Sequence, residues 1–524
     1  MNVVTIHAEN KRQKSQRHQI FRHSILQRAF SFRSKMYKAT LLSFMLLLSA
    51  CHTHLSKNDT LSSLDSSETI KRTSNNNIYV TLSTIQHPRI LQLYGGAYYD
   101  AKLDRLLAKI VRKLTAVSHN SQQNYSVTIL NSESVNAFAL PGGFIYITRG
   151  MLALANDSSE VAAILAHEIA HITAKHGILR LQKAAELKKA NHTSPRLFSH
   201  VEKKTPIENQ QQIAQFSRNQ ELQADSLALD MLKQAGYDPF ASPRFLQTME
   251  AYRVFRNTAG ARNASLDFLA THPSTPQRIR LATEKARKIS TVSTSNTDGA
   301  SFLMGNRKRD SFLESLDGMI FGGSFHTGFV RGNQFIHPQL RITFSVPNNF
   351  IIENSVQTAW ASGPDKIAIR FDAVPRPIEM SACDYLKSGW VAGLDESSVQ
   401  PIILHGLSGA RARAANEKWQ FDVTVILLNN HIFRFLTAAP HNSQNFKEVS
   451  EKTVRSFHFL SSSQLKKLKP LRIRIVRVKQ GETVANLANQ MHNTANKEQF
   501  FRILNALSPT QTLQRGSNVK IVTQ

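Results

Sequence analysis

The chain has 524 residues, of which 41% are hydrophobic and 19% are charged, and its formal net charge is +28. A chain of this length is too long to fold around one ordinary hydrophobic core, so we expect several domains. The basic excess favours an anionic partner, such as acidic lipid, a cell-wall polymer or nucleic acid. The basic residues are scattered without a nucleic-acid-binding signature, so we expect no nucleic-acid partner. With only Cys51 and Cys383, a structural disulfide framework is excluded.

The first apolar segment, Leu41 to Cys51, predicts a secretory leader. It follows basic residues, ends in small ones and is too short to span a bilayer comfortably. Its last four residues, LSAC, resemble a bacterial lipobox, in which the cysteine is lipidated and anchors the protein. We therefore predict a signal peptide over residues 1–51, with Met36 as the expected true start. A short transmembrane anchor or a buried helix is the alternative.

The residues after the predicted lipidation site bear on location. His52 follows Cys51 where a retention signal would have aspartate, and by the bacterial sorting pattern this favours the outer membrane. Residues 52–79 are rich in Ser, Thr and Asn, which predicts a flexible tether. We expect a protein on the periplasmic side of the bacterial envelope, anchored to the outer membrane through lipidated Cys51.

The strongest chemical signal is VAAILAHEIAHITAKHG, Val161 to Gly177. The pattern DSSE at residues 157–160 is typical of a capping box, and apolar residues follow at helical spacing. His167 and His171 then lie one turn apart on one face, where both imidazoles can reach one tetrahedral zinc ion. Glu168 lies beside them, placed to take a proton from a zinc-bound water. Taken alone, this pattern also fits a helix with two solvated histidines.

A second helix supplies a third ligand for such a site. The segment FSRNQELQADSLALDMLKQAGYDP, Phe216 to Pro239, has helical periodicity and Gly236 as a C-cap. Glu221 and Asp225 are four apart and share a face. Glu221 can complete the ligand set, and Asp225 can hydrogen-bond the outer nitrogen of a zinc-binding histidine. Without the first helix, a solvated acidic face is the better interpretation.

HEIAHITAKH and SRNQELQAD together resemble the CAAX-prenyl-protease-type zinc metallopeptidases, which are gluzincins. His87 to Leu114 resembles the N-terminal helix of that family, and NAFALPGGFIYITRGML, Asn136 to Leu152, its signature strand. LATHPSTPQRI, Leu269 to Ile279, resembles its closing His-Pro segment. The resemblance implies one zinc ion per chain, held by His167, His171 and Glu221, in a mainly α (α+β) domain over residues 80–290. The chain looks most like the soluble bacterial periplasmic members.

Other residues near this pattern have open roles. Residues 137–140 predict a short strand, which can lie at a sheet edge or inside a sheet. At an edge, it can pair with an extended substrate, and the expected substrate-binding residues are Asn136, Ala137, Phe138 and Ala139. His272 can stabilise the oxyanion, occupy the open zinc position in a latent form, or belong to a structural turn.

Two further polar residues near the pattern are not expected in the site. His176 lies five positions after His171, about 140° away on a helical wheel, so we leave it outside the ligand set. We expect a structural role for Arg218.

The remaining chain predicts a linker, a second domain and a small module. Residues 291–324 contain a Ser/Thr-rich linker and a helix from Phe302 to Phe321. Residues 325–462 alternate as strands, with a hairpin turn at Asn429-Asn430 and a closing helix, which predicts an α+β accessory domain. We expect its histidines, His326 and His337, to be surface or core residues.

Residues 470–524 predict a βααβ order and resemble a LysM-type module. Such modules bind N-acetylglucosamine polymers, so peptidoglycan is an expected partner. A small fold without glycan contact is the alternative.

These patterns favour a lipid-anchored periplasmic zinc endopeptidase that cleaves misfolded or misassembled envelope proteins. An envelope chaperone or scaffold with a latent zinc site is the second interpretation, although a pure binding protein has no need of Glu168. A peptidoglycan hydrolase ranks last, because the ligand spacing differs from the short zinc motifs of wall amidases.

Overall fold

The computed structural model describes most of the chain after residue 75. The described residues are 76–118, 123–180, 182–183, 206–258, 268, 272, 275–291, 309–377, 379–492 and 496–524. The predicted leader, Cys51 and the tether up to residue 75 lie outside them. All contacts given below lie within one unit, formed by residues 70–388 and 393–524.

The first described elements are two helices, α1 (Asn76–Leu93) and α2 (Ala101–Ala116). The prediction of one helix from His87 to Leu114 was wrong, because Gly95 and Gly96 adopt φ of 79° and 90° between them. Helix α1 also begins four residues inside the predicted tether. Asp100 caps α2, whose buried leucines and isoleucine face the core at helical spacing.

A three-stranded sheet follows, with the order β1-β3-β2. Its strands are β1 (Ser126–Leu130), β2 (Ala137–Leu140) and β3 (Phe144–Thr148). Strand β3 pairs in parallel with β1 and antiparallel with β2. The predicted strand at Ala137 therefore exists and lies at the edge of the sheet rather than inside it.

The described part of the first region also contains helical residues 176–180 and five longer helices: α3 (Arg149–Leu154), α4 (Ser158–Thr173), α5 (Pro206–Gln234), α6 (Ala241–Thr258) and α7 (Pro276–Thr291). Every residue of α4 from Ser159 to Ala170 is buried, because apolar side chains surround the helix. Helix α5 ends as predicted, with Gly236 at φ 73°. Over the described residues, we find no helix with both the length and the apolar character needed to cross a membrane.

The predicted helix from Phe302 to Phe321 is shorter than expected. Its described part, α8, covers residues 309–316, and Ile320–Phe321 form strand β4 instead. Strand β4 pairs with a strand about 150 residues later in the chain. Local periodicity could not reveal this partner, because the pairing is set by the tertiary fold.

The accessory region contains two antiparallel sheets, ordered β11-β12-β13-β14-β10-β9-β8 and β15-β7-β6-β5. Asn429 (φ 52°) turns the predicted hairpin between β13 and β14. Phenylalanines of β7, β10 and β14 form its core with helix α10. The bounds are β5 (Phe329–Arg331), β6 (Gln334–His337), β7 (Ile342–Ser345), β8 (Ile351–Asn354), β9 (Thr358–Ser362), β10 (Ala368–Pro375), α9 (Ala382–Tyr385), β11 (Leu394–Leu404), β12 (Leu407–Ala415), β13 (Trp419–Leu428), β14 (His431–Pro440), α10 (Phe446–Arg455), β15 (His458–Phe459) and α11 (Ser462–Lys467).

The last region has the strand, helix, helix, strand order that the sequence predicts. Its elements are β16 (Leu471–Arg477), α12 (Val484–Asn489), α13 (Lys497–Leu504) and β17 (Asn518–Thr523). Strand β16 pairs with both β17 and β4. Side chains of this region share one continuous hydrophobic core with α2, α4 and α6. The C-terminal module is therefore packed against the first region.

Candidate metal centre

Helix α4 places two histidines at the centre of the first region. Asp157 caps the helix by accepting hydrogen bonds from the backbone N–H groups of Ser159 and Glu160. The predicted capping box is only half formed, because Glu160 Oε2 accepts from the backbone of Asn156 instead of Asp157. This fixed start sets the rotation of α4 and directs His167 inward.

Four side chains converge on one point: His167, His171, Glu221 and His272. One nitrogen or oxygen atom of each lies within 4.8 Å of the others. His171 Nε2 is 3.0 Å from His167 Nε2, and Glu221 Oε2 is 3.3 Å from His167 Nε2. His272 Nδ1 is 3.0 Å from Glu221 Oε2. The three predicted ligands, His167, His171 and Glu221, therefore lie together with His272, although they come from three segments that are far apart in the sequence.

Asp225 and Arg278 form a layer behind this cluster. Asp225 Oδ1 is 3.0 Å from His167 Nδ1, as expected for a carboxylate that orients a histidine. Arg278 donates to both carboxylate oxygens of Asp225, at 2.7 and 2.8 Å, and its Nη1 is 3.1 Å from Glu221 Oε2. Sequence reasoning did not single out Arg278, although it lies six residues after His272 within the quoted His-Pro segment.

His176 contacts the outer nitrogen of His171. The Nδ1 atoms of the two rings are 3.0 Å apart, and His176 Nε2 is 3.1 Å from Gln223 Oε1. The helical-wheel argument predicted that His176 points away from the face of His171, and this prediction was wrong. Helix α4 ends at Thr173 and Lys175 adopts φ 55°, so the wheel does not extend to His176. His176 nevertheless stays outside the group of converging atoms.

Glu168 is buried beside the cluster without a hydrogen bond to its Oε1 atom from any described residue. The residue is 1% exposed, and His272 Nε2 is 3.7 Å from Oε1. Burial raises the pKa of Glu168 above its ordinary value. A carboxylate with a raised pKa and a free oxygen is suited to accept a proton.

The electrostatics of the cluster favour a positive charge at its centre. Burial lowers the pKa of His167, but hydrogen bonds to Asp225 and Glu221 outweigh burial and raise this pKa to about 10. Burial raises the pKa of Glu221, yet hydrogen bonds to His167 and His272 hold it well below its usual range. Burial and nearby His167 lower the pKa of His171. The carboxylates that raise the pKa of His167 stabilise a cation at this point, and a metal ion could replace the proton that His167 holds. Together with the neutral imidazole of His171 and the ionised carboxylate of Glu221, this donor set fits a zinc ion.

Strand β2 lies next to the cluster, and none of the strands in the described part of the chain pairs with its outer edge. Asn136 Nδ2 donates to Tyr94 Oη at 2.9 Å, Ala137 is buried, and Phe138 stacks on Tyr146 with ring centroids 4.9 Å apart. Ala139, further along β2, and His171 line the same cavity of about 100 Å³. The predicted substrate strand and the converging side chains are therefore neighbours.

Comparison with known proteins identifies this region. Residues 101–286 match the family model described as peptidase family M48. This segment is an M48 peptidase domain. It contains all four converging side chains, with Glu168, Asp225 and Arg278. The group of possible metal ligands therefore occurs within a domain of a known peptidase family.

The relatives of the M48 domain are proteases. The mitochondrial metalloendopeptidase OMA1 of Schizosaccharomyces pombe is 29% identical over 37% of this chain and 57% of its own length. The beta-barrel assembly-enhancing protease of Yersinia pestis is 25% identical over 36% of this chain and 40% of its own length. The beta-barrel assembly-enhancing protease of Escherichia coli O157:H7 is 24% identical over 38% of this chain and 42% of its own length. The chain spans about half the length of these relatives, and the matched family model ends at residue 286, before the accessory region and the C-terminal module.

Proposed function

We propose that the chain is a gluzincin-type zinc metalloendopeptidase that hydrolyses peptide bonds of misfolded or misassembled envelope proteins. The observation that carries the proposal is the convergence of His167, His171 and Glu221 beside the buried carboxylate of Glu168, whose Oε1 atom has no hydrogen-bond partner among the described residues. The likeness of the M48 domain to proteases named for beta-barrel assembly supports envelope proteins as the substrate class. Lipidation of Cys51 would place the enzyme at the outer membrane.

Each residue has a distinct part in this reaction. His167, His171 and Glu221 would hold the zinc ion, and Asp225 orients His167 through its Nδ1 atom. A bound zinc ion supplies Lewis acidity, which polarises the scissile carbonyl and increases the acidity of water. Glu168 takes a proton from the attacking water and returns it to the departing amine. Arg278 holds both Asp225 and Glu221 in place.

The free edge of β2 explains how a substrate with little side-chain specificity can bind. An extended peptide beside Asn136 to Ala139 would form backbone hydrogen bonds, which do not depend on the substrate sequence. Such a peptide must be unfolded locally, because a folded strand already pairs within its own protein. This requirement suits a protease that removes misassembled proteins.

A latent form is the second candidate, and the position of His272 favours it. His272 Nδ1 lies 3.3 Å from His167 Nε2 and within the group of possible ligands. A histidine at the fourth position would occupy the place that a catalytic zinc site leaves open for water or substrate. Movement of His272 would then be required before cleavage. If His272 never moved, the site would stay closed, and the chain would act as an envelope chaperone or scaffold.

The deciding experiment compares the purified chain with its Glu168→Gln variant on an unfolded protein such as casein, with and without a chelator. We expect cleavage by the zinc-loaded chain, and loss of cleavage in the variant and after chelation. Cleavage that survives in both samples would contradict the proposal. A His272→Ala variant separates the two candidates, because a latent site predicts faster cleavage after this change and an oxyanion role predicts slower cleavage.

We also propose that the C-terminal module binds a glycan. Its strand, helix, helix, strand order agrees with the LysM resemblance, and peptidoglycan is the polymer that such modules meet in the envelope. A pull-down with insoluble peptidoglycan tests this part of the proposal. Retention of the chain on the polymer supports it, and recovery in the unbound fraction at low salt would argue against it.

A further inference from the structure

Helix α2 buries one face and exposes an opposite face that is basic. The helix packs against α4 and β1, and its buried leucines belong to the hydrophobic core. Its exposed face carries four cations within about 80° of one another on a helical wheel, at roughly 100° per residue. We call these residues the basic stripe: Lys102, Arg105, Lys109 and Arg112.

The basic stripe has no acidic partner among the described residues. The positions three and four residues away from each of its members carry no Asp or Glu, so no neighbour on the helix can pair with them. All four residues are exposed, and none forms an ion pair with a described residue. Helix α7 shows the contrast, since its Lys285 pairs with Asp230 at 2.6 Å.

The stability of α2 does not explain the basic stripe. Its consecutive members are three or four residues apart, so like charges are neighbours along one face and repel each other. The stripe extends about 15 Å along the helix axis, so all four cations can meet a flat surface at once. An anionic surface lying along α2 would replace this repulsion with attraction.

We propose that the basic stripe binds the anionic phospholipid headgroups of a membrane surface, with α2 lying along that surface. The inference rests on the envelope location within the proposed function, and it adds which face of the peptidase domain meets the membrane. Each cation close to an anionic lipid surface strengthens binding about fivefold. Four cations therefore suffice to orient a chain that a lipid anchor already holds.

Two neighbouring features favour a lipid surface over a soluble acidic protein. Tyr99 directly precedes the capping residue Asp100 and is 87% exposed, and tyrosine is enriched where proteins meet the membrane interface. Cys51, the predicted lipidation site, comes before α2 in the chain. Its acyl chains would hold α2 near the headgroups, which raises their effective concentration at the basic stripe.

Binding through the basic stripe would set the distance between the membrane and the proposed metal ligands. Helix α4, which carries His167 and His171, packs directly on α2. From the usual spacing of packed helices and the radius of a helix with its side chains, the axis of α4 would lie roughly 15 Å from the headgroups. A polypeptide at the membrane surface would then be close to the site of cleavage.

The test uses the mature chain that the sequence predicts, residues 52–524, without its lipid. Its partitioning is measured by flotation with vesicles of phosphatidylcholine alone and with vesicles of equal parts phosphatidylcholine and phosphatidylglycerol. We expect binding to the anionic vesicles only, and a steep loss of binding as salt is added. Vesicle binding requires neither zinc nor Glu168, so it is measured independently of peptidase activity.

Replacing all four residues of the basic stripe with glutamine should lower the partition coefficient roughly a hundredfold or more, and Lys109→Gln alone about fivefold. Glutamine has nearly the same helix propensity, so circular dichroism and casein cleavage in solution should be unchanged. The matched control removes two lysines and two arginines from exposed positions elsewhere and should lower partitioning less than about threefold, because distant charges are screened. Its substitutions are Lys418→Gln, Arg455→Gln, Lys466→Gln and Arg515→Gln.

Peptidoglycan is the competing anionic partner. If the fourfold variant of α2 loses retention on insoluble peptidoglycan while its vesicle binding is unchanged, the basic stripe recognises the polymer and the inference is wrong. Equal losses in the α2 variant and the control would reduce the effect to net charge and would also overturn it. Equally tight binding of the wild type to neutral vesicles would have the same consequence. A chain that binds anionic vesicles through α2 and cleaves nothing would overturn the peptidase function alone.

Discussion

Helix α4 carries a buried group of charged side chains at each end, and the two groups differ in how their charges are satisfied. At its start, Lys520 donates to the carbonyl oxygens of Ala153 and Ala155 at 2.7 and 2.6 Å. Glu160 accepts from the backbone of Asn156. Towards its other end, Glu168 has an oxygen without a hydrogen-bond partner among the described residues. The charged side chains of the first group are hydrogen-bonded within the fold, whereas the second group has the arrangement expected if the proposed metal ion and substrate bind there.

This difference separates a structural arrangement from a reactive one. A buried polar group without a partner costs free energy, so proteins retain it mainly where function requires it. The group at the start of α4 instead connects the C-terminal module to the peptidase domain. A substitution in the group at the start of α4 should therefore lower stability. A substitution of Glu168 should lower activity without lowering stability.

The largest expected effect is on activity, from Glu168→Gln. Loss of the general base should lower kcat by about 10²- to 10⁴-fold. The free energy of unfolding should stay the same or rise, because the variant removes a buried carboxylate that has a raised pKa. Peptide turnover and urea unfolding of the same preparations measure both quantities. A variant that loses activity because it unfolds would remove the contrast between the two ends.

The second effect is on stability, from Lys520→Met. Burial lowers the pKa of Lys520 well below its ordinary value, with Glu160 nearby opposing the shift. Removing the amine leaves the carbonyls of Ala153 and Ala155 without this donor and Glu160 uncompensated, so we expect a loss of about 3 kcal/mol in urea unfolding. Lys479→Met, at an exposed position of the same module, is the matched control. Equal stability of the two variants would show that the buried amine contributes nothing.

A smaller effect is expected from His176→Ala, which removes the contact to the outer nitrogen of His171. Loss of such an orienting partner should weaken zinc binding by roughly ten- to a hundredfold. Competition with a chelating dye measures the affinity directly. His176→Asn, whose carbonyl can accept the same hydrogen bond, should recover part of it, and His326→Ala should leave it unchanged. A purely structural histidine would alter unfolding but not zinc affinity.

The smallest effect concerns pH at the start of α4. Burial raises the pKa of Glu160 to about 7, from an ordinary value of 4.5. The folded protein therefore binds this proton more tightly than the unfolded chain, so its contribution to stability falls as pH rises from about 4.5 to about 7. Relative to Glu160→Gln, the wild type should lose roughly 1–2 kcal/mol over this range, since Lys520 offsets part of the change. Parallel unfolding curves for both proteins across this range would contradict the assignment.

The sequence predicted those parts of the site that depend on local spacing. His167 and His171 share a face because α4 is regular over Ser158–Thr173, and Asp157 marks where it begins. Glu221 and Asp225 are likewise four apart on α5. The hairpin at Asn429-Asn430 was predictable because such a turn needs residues that tolerate positive φ.

The missed features depend on contacts between distant segments. Arg278 contacts Asp225 across 53 positions, and no local pattern distinguishes it from a surface arginine. His176 reaches His171 only because the chain leaves the helical path at Lys175. For His272, the sequence left three roles open, and its place beside Glu221 joins residues 51 positions apart, which local spacing cannot predict.

The shared core of the peptidase domain and the C-terminal module has a consequence for biosynthesis. Lys520 bonds to carbonyls 365 and 367 positions earlier in the chain. During synthesis, the segment around α3 and α4 emerges long before β17 exists to complete its packing. We expect the nascent peptidase domain to remain loosely packed until the module arrives. An incomplete chain would then lack the peptidase activity proposed for the finished protein.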